Sequence, residues 1–176
     1  MNTSVRVRLM TRTDLDFADS LRSSAGWNQT RADWERFLAT EPDGCFLAEC
    51  DGQPVGTATT TVYSNELAWI GMMLVHPDCR RRGVGQALLE RCLRSLRARR
   101  IRSIKLDATP LGQPLYEKSG FQAEWPLARW EGPAPTVPSG SQADGARVRP
   151  WSASDFNALS ALDEKAFGVS RWRVLW

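Results

Sequence analysis

The nine residues from Leu67 to Val75, LAWIGMMLV, are apolar almost without a break. A strand with one wet face alternates polar and apolar residues, whereas one covered on both faces need not. The run therefore predicts a central strand with layers packed on both sides of its sheet. A turn, HPDC, follows at once, and then RRRGVG. From Val84 the apolar positions Leu88, Leu89, Cys92, Leu93 and Leu96 recur at intervals of three and four. That spacing predicts a long amphipathic helix. Arg97, Arg99 and Arg100 in its last turn suit the negative end of the helix dipole.

The other elements arrange themselves around this unit. VRVRLM alternates and reads as a strand, and Thr11 or Thr13 can cap a helix carrying Leu15, Ala18 and Leu21. RADWERFLAT reads as a second helix, with Trp34, Phe37 and Leu38 on one face. CFLAEC and PVGTATTTVY flank Asp51-Gly52, a hairpin signal. SIKLDA reads as a strand, GQPLYEKSG as a short helix, and FQAEW and LARWE as two final strands. The order predicts an α/β (α+β layered) fold with a mixed central sheet of about six to seven strands flanked by helices.

Composition then shifts. Residues 132–145 are almost entirely Gly, Pro, Ser and small residues, read as a linker between a domain at 1–131 and a segment at 146–176. The later segment echoes the start of the chain. ARVRPWSASDFNALSAL aligns without gaps on VRVRLMTRTDLDFADSL, so Arg8 meets Arg149, Asp14 meets Asp155 and Leu21 meets Leu162. This predicts the first strand and helix of a truncated second repeat, which cannot close a core alone. Its apolar residues are expected to dock across an open sheet edge or to be exchanged between two protomers as a homodimer.

Net charge is +3, too small to imply a polyanionic partner, and neither nucleic acid nor membrane is expected to bind. No apolar run is long enough to span a bilayer and the first residues carry no apolar signal core, which favours the cytoplasm. The four cysteines are scattered and His76 is the only histidine, so no metal site is expected.

A strand ending at Val75, a turn, and a helix beginning near Gly83 place RRRGVG at a helix N-terminus. Unpaired amides converge there, the helix dipole is positive, and glycines let an anion approach the backbone. Arg80, Arg81 and Arg82 add forked donors suited to phosphate oxygens. A pyrophosphate cradle is the reading these features favour over a solvated basic rim. The nucleotide-hydrolysing loop is excluded because no Gly-Lys-Ser or Gly-Lys-Thr is present. The dinucleotide fingerprint is excluded because Leu88 stands where its third glycine would be. A pyrophosphate bearing another group, such as coenzyme A, is left.

The pattern Arg80-x-x-Gly83-x-Gly85 after MLVHP resembles the central motif of the GNAT superfamily of acyl-CoA-dependent N-acyltransferases. Leu115, Tyr116, Gly120 and Phe121 resemble that family's Leu-Tyr-x-x-x-Gly-Phe pattern, and the echo at the tail resembles members with two tandem copies. The resemblance covers Val5 to about Glu131. It implies a sheet splayed at its central strand and acetyl-CoA as cosubstrate. It implies that the backbone of Met73, Leu74 and Val75 pairs with pantetheine, and that the stretch Arg81, Arg82, Gly83, Val84, Gly85 and Gln86 holds the pyrophosphate. The amide of Val75 is the expected oxyanion donor, and Tyr116 the acid that protonates the departing thiolate. The reaction implied is direct attack by a primary amine, on a small molecule or a peptide, within a ternary complex. The alternative is a GNAT module that binds acyl-CoA as a sensor without transferring it. Where some members carry a basic carboxylate this chain has Trp69, so Glu66 and Asp107 are the candidate bases. Trp27, Asn28 and Trp69, with Gln29, are the candidate acceptor contacts.

Overall fold

The computed structural model describes residues 4–133 and 148–175. Strand β1 (Val5–Leu9) leads into helices α1 (Leu15–Ser24) and α2 (Arg31–Thr40). Strands β2 (Cys45–Cys50), β3 (Gln53–Val62) and β4 (Leu67–Val75) follow, then helix α3 (Val84–Ala98), strand β5 (Ser103–Leu106) and helix α4 (Gln113–Lys118). Helices α5 (Phe156–Phe167) and α6 (Trp172–Leu175) form the later segment. The expected linker lies mostly outside the described residues.

The strands make one sheet in chain order. β1 through β4 pair antiparallel, and β5 pairs parallel to β4 after the crossover through α3. The β2–β3 hairpin turns on Asp51 and Gly52, whose φ angles of 51° and 77° suit a tight primed turn.

This sheet has five strands, fewer than the six to seven expected. FQAEW and LARWE form no strand. Pro126 interrupts that stretch, and it meets β5 through side chains instead of a ladder. Lys105 bonds Glu124 at 2.7 Å and lies 5.3 Å from the ring centre of Trp125. The strand expected at the start of the second repeat is also not seen at Val148–Pro150, where Val148 is 98% exposed. A lone strand has no ladder to join.

Two cores sandwich the sheet. On one face Val84, Leu88, Leu89, Cys92 and Leu96 of α3 cover Phe46, Ala48, Ala58, Ala68 and Ile70. Each fully buried aliphatic side chain contributes about 1.5–3 kcal/mol. The helix lies close: a Cβ on Gly56 would fall 2.8 Å from the Leu74 carbonyl and 3.1 Å from Leu88. On the other face Leu15, Ala18 and Trp34 pack with Cys45, Leu47 and Met72.

The corner between β1 and α1 is locked by a fork. Arg8 donates to both carboxylate oxygens of Asp14 at 2.7 and 2.8 Å, and its Nε donates to Glu49 at 2.7 Å. Asp14 also accepts from the Thr11 amide at 2.8 Å. The later segment repeats this geometry. Arg149 forks onto Asp155, and Asp155 accepts from the Ser152 amide at 2.8 Å. Even the flanking contacts recur: Thr11 and Thr13 hydroxyls lie 2.8 Å apart, Ser152 and Ser154 hydroxyls 2.7 Å apart.

That segment meets the first domain through Phe167, whose ring lies against Tyr63 and Trp69, and among the described residues it pairs with no strand. Leu162 and Trp172 of the same segment stay exposed.

Asp14 is buried, and the Arg8 guanidinium holds its carboxyl at about 2, below its ordinary 3.8. The folded state therefore prefers the carboxylate. Its contribution is complete above about pH 5 and is lost as pH falls through 3.8 toward 2. Asp14→Asn should cost about 2 kcal/mol at pH 7 in urea unfolding, and the gap to wild type should close between pH 5 and 2. A gap independent of pH would refute this account of the corner.

Candidate functional site

Midway along β4 the strand breaks its own rules. Thr59 pairs with Gly71, but Thr57 pairs with Leu74, so Met72 and Met73 together oppose Ala58. Met72 sits at φ 48°, an uncommon conformation for a residue with a side chain. This is a β-bulge, and it reverses which face each later side chain takes. Ala68 and Ile70 face α3 before the bulge; Met72 faces α1 and α2, and Met73 and Val75 return to the α3 side. The Thr57 hydroxyl donates to the Met72 carbonyl at 2.9 Å and holds the kink from the β3 side.

On its other side β4 loses its neighbour. The parallel ladder with β5 ends at Ile70 and Leu106. From Gly71 to Val75 the edge facing β5 has no strand beside it among the described residues. This is the splay the resemblance implied, and it leaves the outward-facing backbone groups between Gly71 and Val75 open to an extended polar chain, except the Val75 carbonyl, which accepts from Arg80. Five residues, roughly 16 Å, separate the last rung from Val75.

The wide end of this gap meets the start of α3. Arg81 (φ 58°) and Gly83 (φ 81°) are both left-handed and bend the chain so that successive amides converge. A Cβ on Gly83 would meet nothing within 4 Å, so conformation demands the glycine and the space above it stays open. Ala87 is bonded back to Gly83 at 2.9 Å, and the first-turn amides before it have no helical carbonyl to reach. The concave set of donors fits a pyrophosphate. The Val84 side chain is buried in the core and cannot reach that space. The Gln86 side chain is engaged with Glu90 at 2.9 Å. Arg80 folds back, its Nε donating to the Val75 carbonyl at 3.2 Å, and so braces the end of β4, while Arg81 and Arg82 are exposed. His76 closes the strand: its amide donates to the Val55 carbonyl at 2.8 Å.

Tyr116 projects from α4 into the α3-side core, its ring edge-on to Phe121 at 6.1 Å. A Cβ on Gly112 would come within 2.9 Å of that ring. Burial, and then the Cys92 thiol, push the Tyr116 hydroxyl up to about 12, so it stays protonated at neutral pH. Gly85 links the two regions, since a Cβ there would touch Leu115 at 3.4 Å and Val75 at 3.8 Å.

The candidate bases separate. Glu66 precedes β4, four residues or roughly 13 Å from the last rung. Its carboxylate takes two bonds from Arg102, at 2.9 and 3.1 Å. The structure therefore engages Glu66 in an ion pair away from the gap. Asp107 follows Leu106 directly, at the closed end of the gap, and is exposed without a hydrogen bond or ion pair among the described residues.

Of the expected acceptor contacts, Trp69 stands one residue before the last rung, half-buried. Trp27 is half-buried against the α1–α2 core, and its carbonyl accepts from Arg22 at 2.8 Å. Asn28 is exposed, and the side-chain oxygen of Gln29 is buried with no partner. Tyr63, Phe167 and Arg171 join Trp69 in a cluster that sequence reasoning missed. Nothing local ties Phe167 to a strand so distant in the chain. Among the described residues no group of three or more His, Cys, Asp or Glu is placed to hold a metal, and no helix is long and apolar enough to cross a membrane.

A bulged strand parting from its parallel neighbour beside a glycine-bent helix start defines a coenzyme-binding acyltransferase architecture. The profile of the acetyltransferase (GNAT) family matches residues 14–121, and the chain belongs to that family. It is 28% identical over 152 residues to a holothin acyltransferase of Pseudoalteromonas, covering 85% of this chain and 48% of that protein. A solved putative acetyltransferase from Pyrococcus horikoshii superposes with a TM-score of 0.72 at 30% identity, over 97% of this chain and 60% of that one. The chain thus spans about half the length of the first and three fifths of the second. An aminoglycoside N-acetyltransferase solved with CoA shares the fold, with a TM-score of 0.60 at 22% identity.

Gly83→Val forces a branched side chain into a left-handed conformation, which costs about 1–2 kcal/mol. It should weaken coenzyme A roughly tenfold in calorimetric titration, the equivalent of about 1.4 kcal/mol. Unchanged affinity would show that the cradle does not need this bend.

Proposed function

We propose that this chain transfers an acetyl group from acetyl-CoA to the primary amine of a small molecule, by direct attack in a ternary complex. The observation that carries the reading is the gap beyond Ile70 and Leu106, open along Met73 to Val75 and ending at the amides of Arg81 to Gln86. The amides bind pyrophosphate, and the unpaired edge of β4 pairs with the pantetheine amides as an added strand would. Small-molecule acceptors are favoured because one relative is named for holothin and one structural neighbour for aminoglycosides.

Acetyl-CoA supplies the activated thioester. This chain's residues must hold it, receive the amine, accept the two protons its nitrogen loses, stabilise an oxyanion and return one proton to the thiolate. The Val75 amide is the oxyanion donor. Asp107, free at the closed end of the gap, takes the ammonium proton directly or through water. Tyr116 gives its proton to the departing thiolate and regains one from the nitrogen, which loses its second proton as the amide forms; its raised pKa keeps that proton available across the neutral range. We further propose that residues 146–176 open a second repeat of the same fold. The duplicated fork of Arg149 on Asp155 supports this.

The function is tested by titrating coenzyme A into the chain and measuring thiol release from acetyl-CoA across a set of primary amines. Binding with no turnover by any amine would favour the sensor reading instead. Tyr116→Phe should lower kcat about 100-fold with coenzyme affinity unchanged. An unaltered kcat would remove Tyr116 from the chemistry.

A further inference from the structure

The later segment touches the first domain at one chemically telling place. Phe167, the last residue of α5, sits edge-on to Tyr63 with ring centres 5.2 Å apart and an interplanar angle of 76°. It lies 6.3 Å from Trp69 at 36°. The Arg171 guanidinium stands 4.0 Å from the centre of the Phe167 ring, and Asp163 holds it there through hydrogen bonds to Nε and Nη2. Tyr63, Trp69, Phe167 and Arg171 are each half-buried, so the group is accessible from one side. Burial raises the Tyr63 hydroxyl pKa, with Arg171 opposing that shift and Asp107 reinforcing it, so both charges reach this cluster.

Register tells which face this is. Ala68 and Ile70 pack under α3, so Trp69 between them faces the opposite side. Trp69 pairs with Lys105 across the parallel ladder, and Asp107 lies just past the end of β5, near enough to Tyr63 to act on its hydroxyl. The aromatic group and the free carboxylate therefore meet at the closed end of the gap, on the face that α3 leaves uncovered. A coenzyme held at the start of α3 enters from the wide end. Its thioester points toward the last rung, and an amine must arrive from the other face.

We infer that Phe167 and Arg171, from the segment beyond the first domain, form one wall of the amine-acceptor site, facing Tyr63 and Trp69. This rests on the acyltransferase reading above. The acceptor chemistry that fits is an amine on a flat, apolar body. The rings take the body, Asp107 receives the ammonium, and Arg171 is neutralised by Asp163 and does not repel the cation.

The test reads proximity, not turnover. Coenzyme A alkylated on sulfur with a maleimide-linked benzophenone is bound to the 176-residue chain, irradiated, and the trypsin digest is read by mass spectrometry. Calorimetry of the same adduct reports binding. The peptide Ala166–Arg171, which contains Phe167, should carry the label, and a large excess of unmodified coenzyme A should reduce that label at least tenfold. Binding with label confined to peptides of the first domain would overturn this inference alone. Failure of the adduct and of coenzyme A to bind would overturn both it and the acyltransferase reading.

Discussion

The parting of β4 from β5 after Ile70 and Leu106 governs the rest of the molecule. A parallel ladder satisfies backbone groups on both strands, and ending it early would normally leave a sheet with a costly open seam. Here the bulge at Met72 turns the seam away from the ladder, and the Thr57 hydroxyl holds the displaced carbonyl. α3 then starts at the mouth of the seam, because the crossover from an antiparallel front half to a parallel fifth strand must leave the end of β4 there. Site and topology are thus one feature: the place where the sheet changes from antiparallel to parallel is where free amides and carbonyls collect.

The packing explains why this opening does not unravel. Phe46, Ala58, Leu88 and Cys92 seal the α3 face, and Trp34 with Leu47 seals the other. Burial also pushes the Cys45 and Cys92 thiols up to about 12, which makes them inert filling and not chemistry. At the front the Arg8–Asp14 fork fixes how the first strand hands over to the first helix. The same fork at Arg149 and Asp155 lacks a strand to anchor, and its segment leans on Tyr63 and Trp69 instead.

Much of this was legible in one dimension. The apolar run, the heptad-like recurrence from Val84 to Leu96 and the Asp51-Gly52 turn each became the element expected, because each depends on spacing within a few residues. The glycine-bent helix start was legible for the same reason: Gly83 in a left-handed bend ahead of a helix is a local arrangement. FQAEW and LARWE misled, because their β-like composition says nothing of whether a neighbouring strand is there to pair with. The pairing of Glu66 was not legible, because its partner, Arg102, lies 36 residues further along the chain.

By its order of residues alone the chain determined a covered central strand, a glycine-bent helix start after it, and a repeated Arg–Asp corner, since all three arise from backbone preference and periodicity at short range. Only the tertiary structure decided where the β4–β5 ladder stops, that Met72 bulges, that Glu66 is paired while Asp107 has no partner among the described residues, and that Phe167 comes to rest on Trp69. Those outcomes depend on which surfaces meet after long stretches of chain have been brought together. Spacing along a sequence carries no measure of that.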